Sequence, residues 1–251
     1  MQGQSAVVYA DDHRRSQKMF AVLGVLVLFG SGACQIDPSD GCSDTAAVAC
    51  VEHLVPFVGE PRVPETPEEL EAHCELETVD LTCGNKYVER CLQGFFRGVS
   101  YAALNALRRE SAGKCNASHP DHKRYLAGAR CLNRAGDRIH ECYQTFKEEL
   151  YRIIVGAAPE RRLEHGCCET SRLFQCKQRS VEKACGDSDT DQPVPGSFER
   201  SLGELVTLYC QPYEHGSSDC AALDELPKLA PNETVPQSLV LLMKSYVATF
   251  G

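Results

Sequence analysis

The sequence contains no CxxC pair, although 15 of its 251 residues are cysteine. Zinc knuckles need closely spaced thiolates, so that absence disfavours structural zinc and leaves disulfides in an oxidising compartment as the use of so much cysteine. HExxH, GxSxG, GxGxxG, P-loop and EF-hand patterns are also missing. With them go the recognisable hydrolase, dinucleotide, nucleotide and calcium chemistries. No sustained period-two run occurs, so β structure should be minor. The apolar run from Met19 through Phe29 falls short of the roughly 20 residues of a spanning helix. Positive charge is in deficit as well: the formal net charge is −9, which disfavours nucleic acid and anionic membranes as partners.

The start of the chain reads as an export signal. His13, Arg14, Arg15 and Lys18 precede the apolar run, and Gly30-Ser31-Gly32-Ala33 follows as a small-residue cleavage site. Residues 1–33 are therefore expected to be a signal peptide, or a signal anchor if uncleaved, with translation from Met19 explaining the long leader. Residues 34–225 form a cysteine-rich domain, read as one body or as halves near 34–142 and 143–225. Residues 226–251 form a Pro-punctuated linker and a terminal amphipathic helix.

The cysteines follow a frame of C-x(7–10)-C-x(23–24)-C: Cys42/Cys50/Cys74, Cys83/Cys91/Cys115, Cys131/Cys142/Cys167 and Cys176/Cys185/Cys210, with Cys220 opening a fifth copy and Cys168 outside the frame. Unit starts advance by 41, 48, 45 and 44 residues, the range of stacked two-helix units. The expected fold is all-α, a disulfide-stitched helical bundle or a short array of two-helix repeats.

Apolar spacing between the cysteines is helical. Val48, Val51, Leu54, Val55 and Val58 make a first stripe. Thr66-Pro67-Glu68-Glu69 opens a second helix with an N-cap, a Pro and a capping-box Glu, running to about Glu77. Val88, Cys91, Leu92, Phe95, Val99, Ala102, Ala103, Ala106 and Leu107 describe a five-turn helix expected at the centre of the core. Ser118-His119-Pro120-Asp121 is a cap and turn, after which Leu132, Ala135, Ile139, Cys142, Phe146, Leu150 and Ile153 recur every three or four residues as far as Gly156. Pro159 starts a helix through Leu163 and Cys167. Residues 186–197 read as an acidic surface loop, and Ser197 as the cap of a helix into Cys210. Leu239, Leu242, Met243, Tyr246, Val247 and Phe250 form a last stripe, expected to dock on the bundle.

Two cysteines eight residues apart on one helix lie about 12 Å apart along its axis, beyond the roughly 7 Å Cα limit of a disulfide. Each therefore reaches a different position on a neighbouring helix. Cys167 and Cys168 point in different directions and should join separate helices, making that dipeptide a junction between the third and fourth units, with Cys220 or Cys34 as the partner of Cys168. If cleavage follows Ala33, Cys34 is retained as an odd thiol that favours a covalent dimer.

Asn116 and Asn232 head N-x-S/T sequons and are the candidate glycosylation sites. His119 and His122 form an HPDH pair without a third metal ligand nearby, and are expected in an exposed turn. His165 beside Cys167 could activate a thiolate only if that cysteine were free. Glu68/Glu69 and Glu148/Glu149 read as solvated helix surfaces. No catalytic, cofactor-binding or metal-binding residue is assigned, and the chain is not expected to be an enzyme.

The stretch Cys167-Cys168-x7-Cys176-x8-Cys185, followed by a helix ending Leu208-Tyr209-Cys210 and then by Cys220, resembles the arthropod secreted cysteine-rich helical proteins related to the small hemolymph glycoproteins. The resemblance covers residues 42–225. It implies secretion, helices, disulfides and circulation in body fluid, and it transfers no active-site residue. The expected function is extracellular binding of a protein partner; the alternative is carriage of an apolar small molecule between amphipathic helices.

Overall fold

Thr66 accepts a hydrogen bond from the Glu69 N–H at 3.2 Å while the Glu69 carboxylate accepts from the Thr66 N–H, so the capping box forms around Pro67. Such a cap stabilises a helix start by about 1 kcal/mol. The computed structural model describes residues 41–51, 53–186 and 210–249, all within the unit Asp37–Phe250. Helices are the only regular elements among the described residues. They are α1 (Asp44–Ala49), α2 (Pro67–Cys91), α3 (Gly94–Lys114), α4 (Pro120–Gly156), α5 (Arg162–Cys185), α6 (Ser218–Ala221) and α7 (Leu239–Ala248), with a 3-10 turn at Pro159–Arg161. The chain is an all-α bundle stitched by disulfides. Residues 1–33, Cys34 and the Ser197 cap with its helix lie outside the described residues, as does residue 187 onward of the acidic loop.

Two antiparallel hairpins, α2/α3 and α4/α5, supply most of the packing, and α7 lies between α4 and α1. The long helix α4 is central. Its Ala135, Ile139, Cys142, Phe146, Leu150 and Ile153 are all buried, and with Leu173, Leu242 and Tyr246 they build the main core. Each large apolar side chain so buried contributes about 1.5–3 kcal/mol. A second, smaller cluster joins Leu54, Leu81, Val88 and Leu104.

Three of the expected helix extents need correction. The stripe from Val48 to Val58 is helical only to Ala49. Pro56 has no N–H to donate and disfavours helix at Val55, while the His53 N–H donates to the Asp80 carboxylate at 2.8 Å. Residues 50, 51 and 53–58 instead run through turns and bends, with Leu54 and Phe57 buried and Phe57 at φ 66°. The second helix does not stop near Glu77 but continues to Cys91, fixed by cysteine bonds along its length. The five-turn helix from Val88 to Leu107 is two helices: Leu92 and Gln93 are extended, Gly94 adopts φ 56°, and Val99 is exposed, so the core centres on α4.

Seven disulfides pair all fourteen described cysteines, with Cα separations from 5.0 to 5.9 Å. Their connectivity repeats once. Cys42–Cys91, Cys50–Cys83 and Cys74–Cys115 join the first two frame units as first-to-second, second-to-first and third-to-third. Cys131–Cys185, Cys142–Cys176 and Cys167–Cys210 join the last two in the same crossed order. Loop lengths match as well, at 49 and 54, 33 and 34, 41 and 43 residues. The repeating element is thus a pair of frame units, present twice. The Cys167-Cys168 dipeptide, where the third frame unit ends, lies within α5, the helix that also carries Cys176 and Cys185 of the fourth; Cys168 adds the seventh bond, to Cys220 in α6. The expected division at 142/143 falls within α4, and crosslinks are absent instead between Cys115 and Cys131.

Polar clamps fix the irregular segments. The Asn133 amide accepts from the Val63 N–H at 2.7 Å and donates to its carbonyl at 2.8 Å, and His140 Nδ1 donates to the Phe57 carbonyl. Arg152 donates to the carbonyls of Leu226 and Pro227, and the buried Lys147 donates to the Gln237 carbonyl, so the Pro-punctuated linker is tied down along α4.

Candidate functional site

Helices α4 and α5 are joined by a short connection and bolted twice, by Cys142–Cys176 and Cys131–Cys185. Along one side of this hairpin runs a groove of about 730 Å³, neither enclosed nor flat. Its floor is made of small groups, Ala135, Ala184 and the Cys142–Cys176 disulfide, which leave room between the helix ridges. Its walls are basic: Arg134 and Arg138 from α4, and Arg172, Arg179 and Lys183 from α5. Glu141 is the one carboxylate of the lining. His215 closes one end, its loop held by a Ser171 hydroxyl that accepts from the His215 N–H and a Gln175 amide that donates to its carbonyl.

The cations differ in how they are held. Arg172 lies 2.6 Å from the Glu169 carboxylate and 3.9 Å from Glu149; the contact with Glu169 is ionic, without hydrogen-bond alignment. Burial pushes the Glu169 carboxyl up against the opposing charge of Arg172. Arg138 approaches Glu141 at 3.9 Å with both side chains largely exposed, a contact worth little in water. Arg134 donates to the Ala184 carbonyl and Arg179 to the Gln175 side chain, both neutral. The groove can therefore take an anionic ligand without first breaking internal ion pairs at these two positions.

A second polar cluster lies on the other hairpin. The Lys114 ammonium and the Glu77 carboxylate form a buried pair, His73 Nε2 lies 3.1 Å from the same carboxylate oxygen, and the Lys114 ammonium stands over the Tyr125 ring. Glu77 also sits beside Cys74 and Cys115, a ligand-like triplet whose two sulfurs are joined in a disulfide. A bonded sulfur offers no thiolate, and Lys114 supplies the charge this carboxylate needs.

The residues singled out in the sequence are not brought together. Asn116 and Asn232 are both exposed, on separate loops, and the Asn116 side chain accepts from the Ser118 N–H at 3.0 Å. His119 caps α4 by accepting from the Asp121 N–H, while His122 Nδ1 donates to the Lys114 carbonyl; the pair forms a helix start. His165 is buried, and its neighbour Cys167 is bonded to Cys210. The groove's cations carry no motif of their own, although Arg134/Arg138 at i, i+4 and Arg172/Arg179/Lys183 at i, i+7, i+11 show one-sided basic spacing on helices whose apolar faces are legible. Among the described residues no helix is long and apolar enough to cross a membrane. The chain matches no family model, no curated protein and no solved structure.

Proposed function

We propose that this chain is a secreted, disulfide-stitched glycoprotein that acts by extracellular binding, with the α4/α5 groove as its contact surface. The observation that carries the reading is the complete pairing of the fourteen described cysteines, a state maintained in oxidising compartments and not in the cytosol. The charged-then-apolar leader ending at Ala33 and the exposed sequons at Asn116 and Asn232 support the same route. Circulation in a body fluid such as hemolymph is what the resemblance to the small hemolymph glycoproteins implies. The alternative of an apolar carrier draws no support from this groove, which is open and rimmed with arginine. The fourteen other cysteines are bonded to one another, so a mature chain that keeps Cys34 carries an odd thiol suited to a covalent dimer.

The test is expression of the full chain in cultured insect cells. Recovery from the medium, an N-terminus near residue 34 and a mass decrease on enzymatic removal of N-glycans are the expected results. A reduced, unglycosylated chain retained inside the cell overturns the reading.

A further inference from the structure

Building on the reading of this chain as an extracellular binding protein, we propose that the α4/α5 groove binds a linear sulfated polysaccharide. The chain as a whole is acidic, at −9, yet this one concavity gathers five cations against a single carboxylate. Like charges concentrated over a low-polarity floor repel one another and focus the field on an incoming anion. Internal pairing leaves three of them undischarged: Arg172 and Arg138 approach carboxylates, but among the described residues no carboxylate lies within ion-pair distance of Arg134, Arg179 or Lys183.

The spacing selects an extended ligand. Arg172, Arg179 and Lys183 stand on one face of α5 over a rise of about 16 Å, and Arg134 and Arg138 stand one turn apart on α4 opposite them. A single sulfate or phosphate engages one or two of these side chains, whereas a chain bearing an anion at each successive sugar engages the row. Four of the five cations are arginine, whose planar fork meets sulfate oxygens in pairs. The floor of Ala135, Ala184 and the Cys142–Cys176 bond offers apolar contact to the C–H faces of sugar rings, and that bond holds the two walls at fixed spacing before the ligand arrives.

The test uses the full chain purified from culture medium, with heparin as the probe. Wild type is expected to bind immobilised heparin and to elute with added salt. Arg134→Glu/Arg179→Glu/Lys183→Glu is expected to weaken binding by about tenfold or more, and the milder Arg134→Gln/Arg179→Gln/Lys183→Gln to weaken it in the same sense if the first variant folds poorly. Arg108→Glu/Arg109→Glu/Lys123→Glu makes the same change in net charge on exposed positions of α3 and α4 outside the groove, and is expected to alter binding by less than about twofold. Desulfated heparin should not compete. Equal weakening by the two charge-reversal variants, competition by the desulfated polymer, or equally tight groove-dependent binding of single-stranded DNA overturns the proposal. Failure of a secreted, glycosylated protein to bind heparin sinks this ligand assignment alone; failure of secretion sinks the reading beneath it.

Discussion

The Tyr246 hydroxyl fills the space that a side chain on Gly166 would need: a Cβ at position 166 would lie 1.8 Å from that oxygen. The hydroxyl donates to the Arg162 carbonyl, one turn earlier on α5, at 3.1 Å. Helix α7 is thereby keyed into a notch that only glycine leaves open. Gly166→Ala is expected to displace Tyr246 and destabilise the protein by about 1–3 kcal/mol. Hydrogen exchange over Leu239–Ala248 should rise ahead of the rest of the bundle, and unchanged exchange there contradicts the keyed arrangement.

Acid should weaken the fold in two stages. Burial raises the Glu77 carboxyl, but the hydrogen bonds from His73 and Lys114 and the Lys114 charge outweigh it and hold the group below its ordinary value. A carboxyl with a lower pKa in the folded state adds stability above the unfolded value of about 4.5 and loses it as pH falls through the folded one. His165 is lowered by burial and then by the Arg161 charge, so its stabilising contribution is complete above about pH 6.5 and falls away below. Urea midpoints measured from pH 7 to 3 should therefore decline first near the histidine range and again below the carboxylate range. Glu77→Gln should shrink the lower step while costing about 3–5 kcal/mol at neutral pH, because Lys114 is left buried and unpaired. A pH profile parallel to wild type would count against the buried pair.

Asn133 reaches across 70 residues of sequence to satisfy both backbone groups of Val63. Asn133→Leu keeps the volume and removes both bonds, at an expected cost of about 1–3 kcal/mol for each backbone group stranded. Thermal unfolding gives the size of the loss, and exchange of the Val63 amide localises it.

Peptide mapping without reduction checks the cysteine pairing. Trypsin releases residues 163–172, holding Cys167 and Cys168, and residues 201–228, holding Cys210 and Cys220. The expected product is these two peptides joined by two bonds, at their summed mass less four hydrogens. Either peptide recovered alone before reduction rules the arrangement out.

Local signals were the legible part of the sequence. Thr66 with Glu69, His119 with Pro120, and the Ala135-to-Ile153 stripe each depend on residues within a few turns, and the structure forms them as read. The stripe through Val58 misled because apolar spacing carries no record of the missing N–H at Pro56 or of Asp80, 27 residues away, drawing off the His53 N–H. Cysteine spacing showed regularity but not its order: four similar units are equally compatible with a stack and with two crossed pairs, and only contact geometry separates them. The groove was hidden for a related reason. Arg134 and Lys183 each look like ordinary solvated charges until the α4/α5 packing sets them along the same channel.

The gap in crosslinks between Cys115 and Cys131 makes the chain unequal in its response to a single backbone cut. Every peptide bond from Cys42 to Cys115 lies inside at least one of the overlapping loops closed by Cys42–Cys91, Cys50–Cys83 and Cys74–Cys115, so a nick there leaves one covalent molecule. The same holds from Cys131 to Cys220. A protease acting between 115 and 131 instead yields two pieces, held only by grips such as Asn133 on Val63 and His140 on Phe57. Between Cys42 and Cys220, that stretch is the single place where one cut turns one covalent chain into a dissociable pair of fragments.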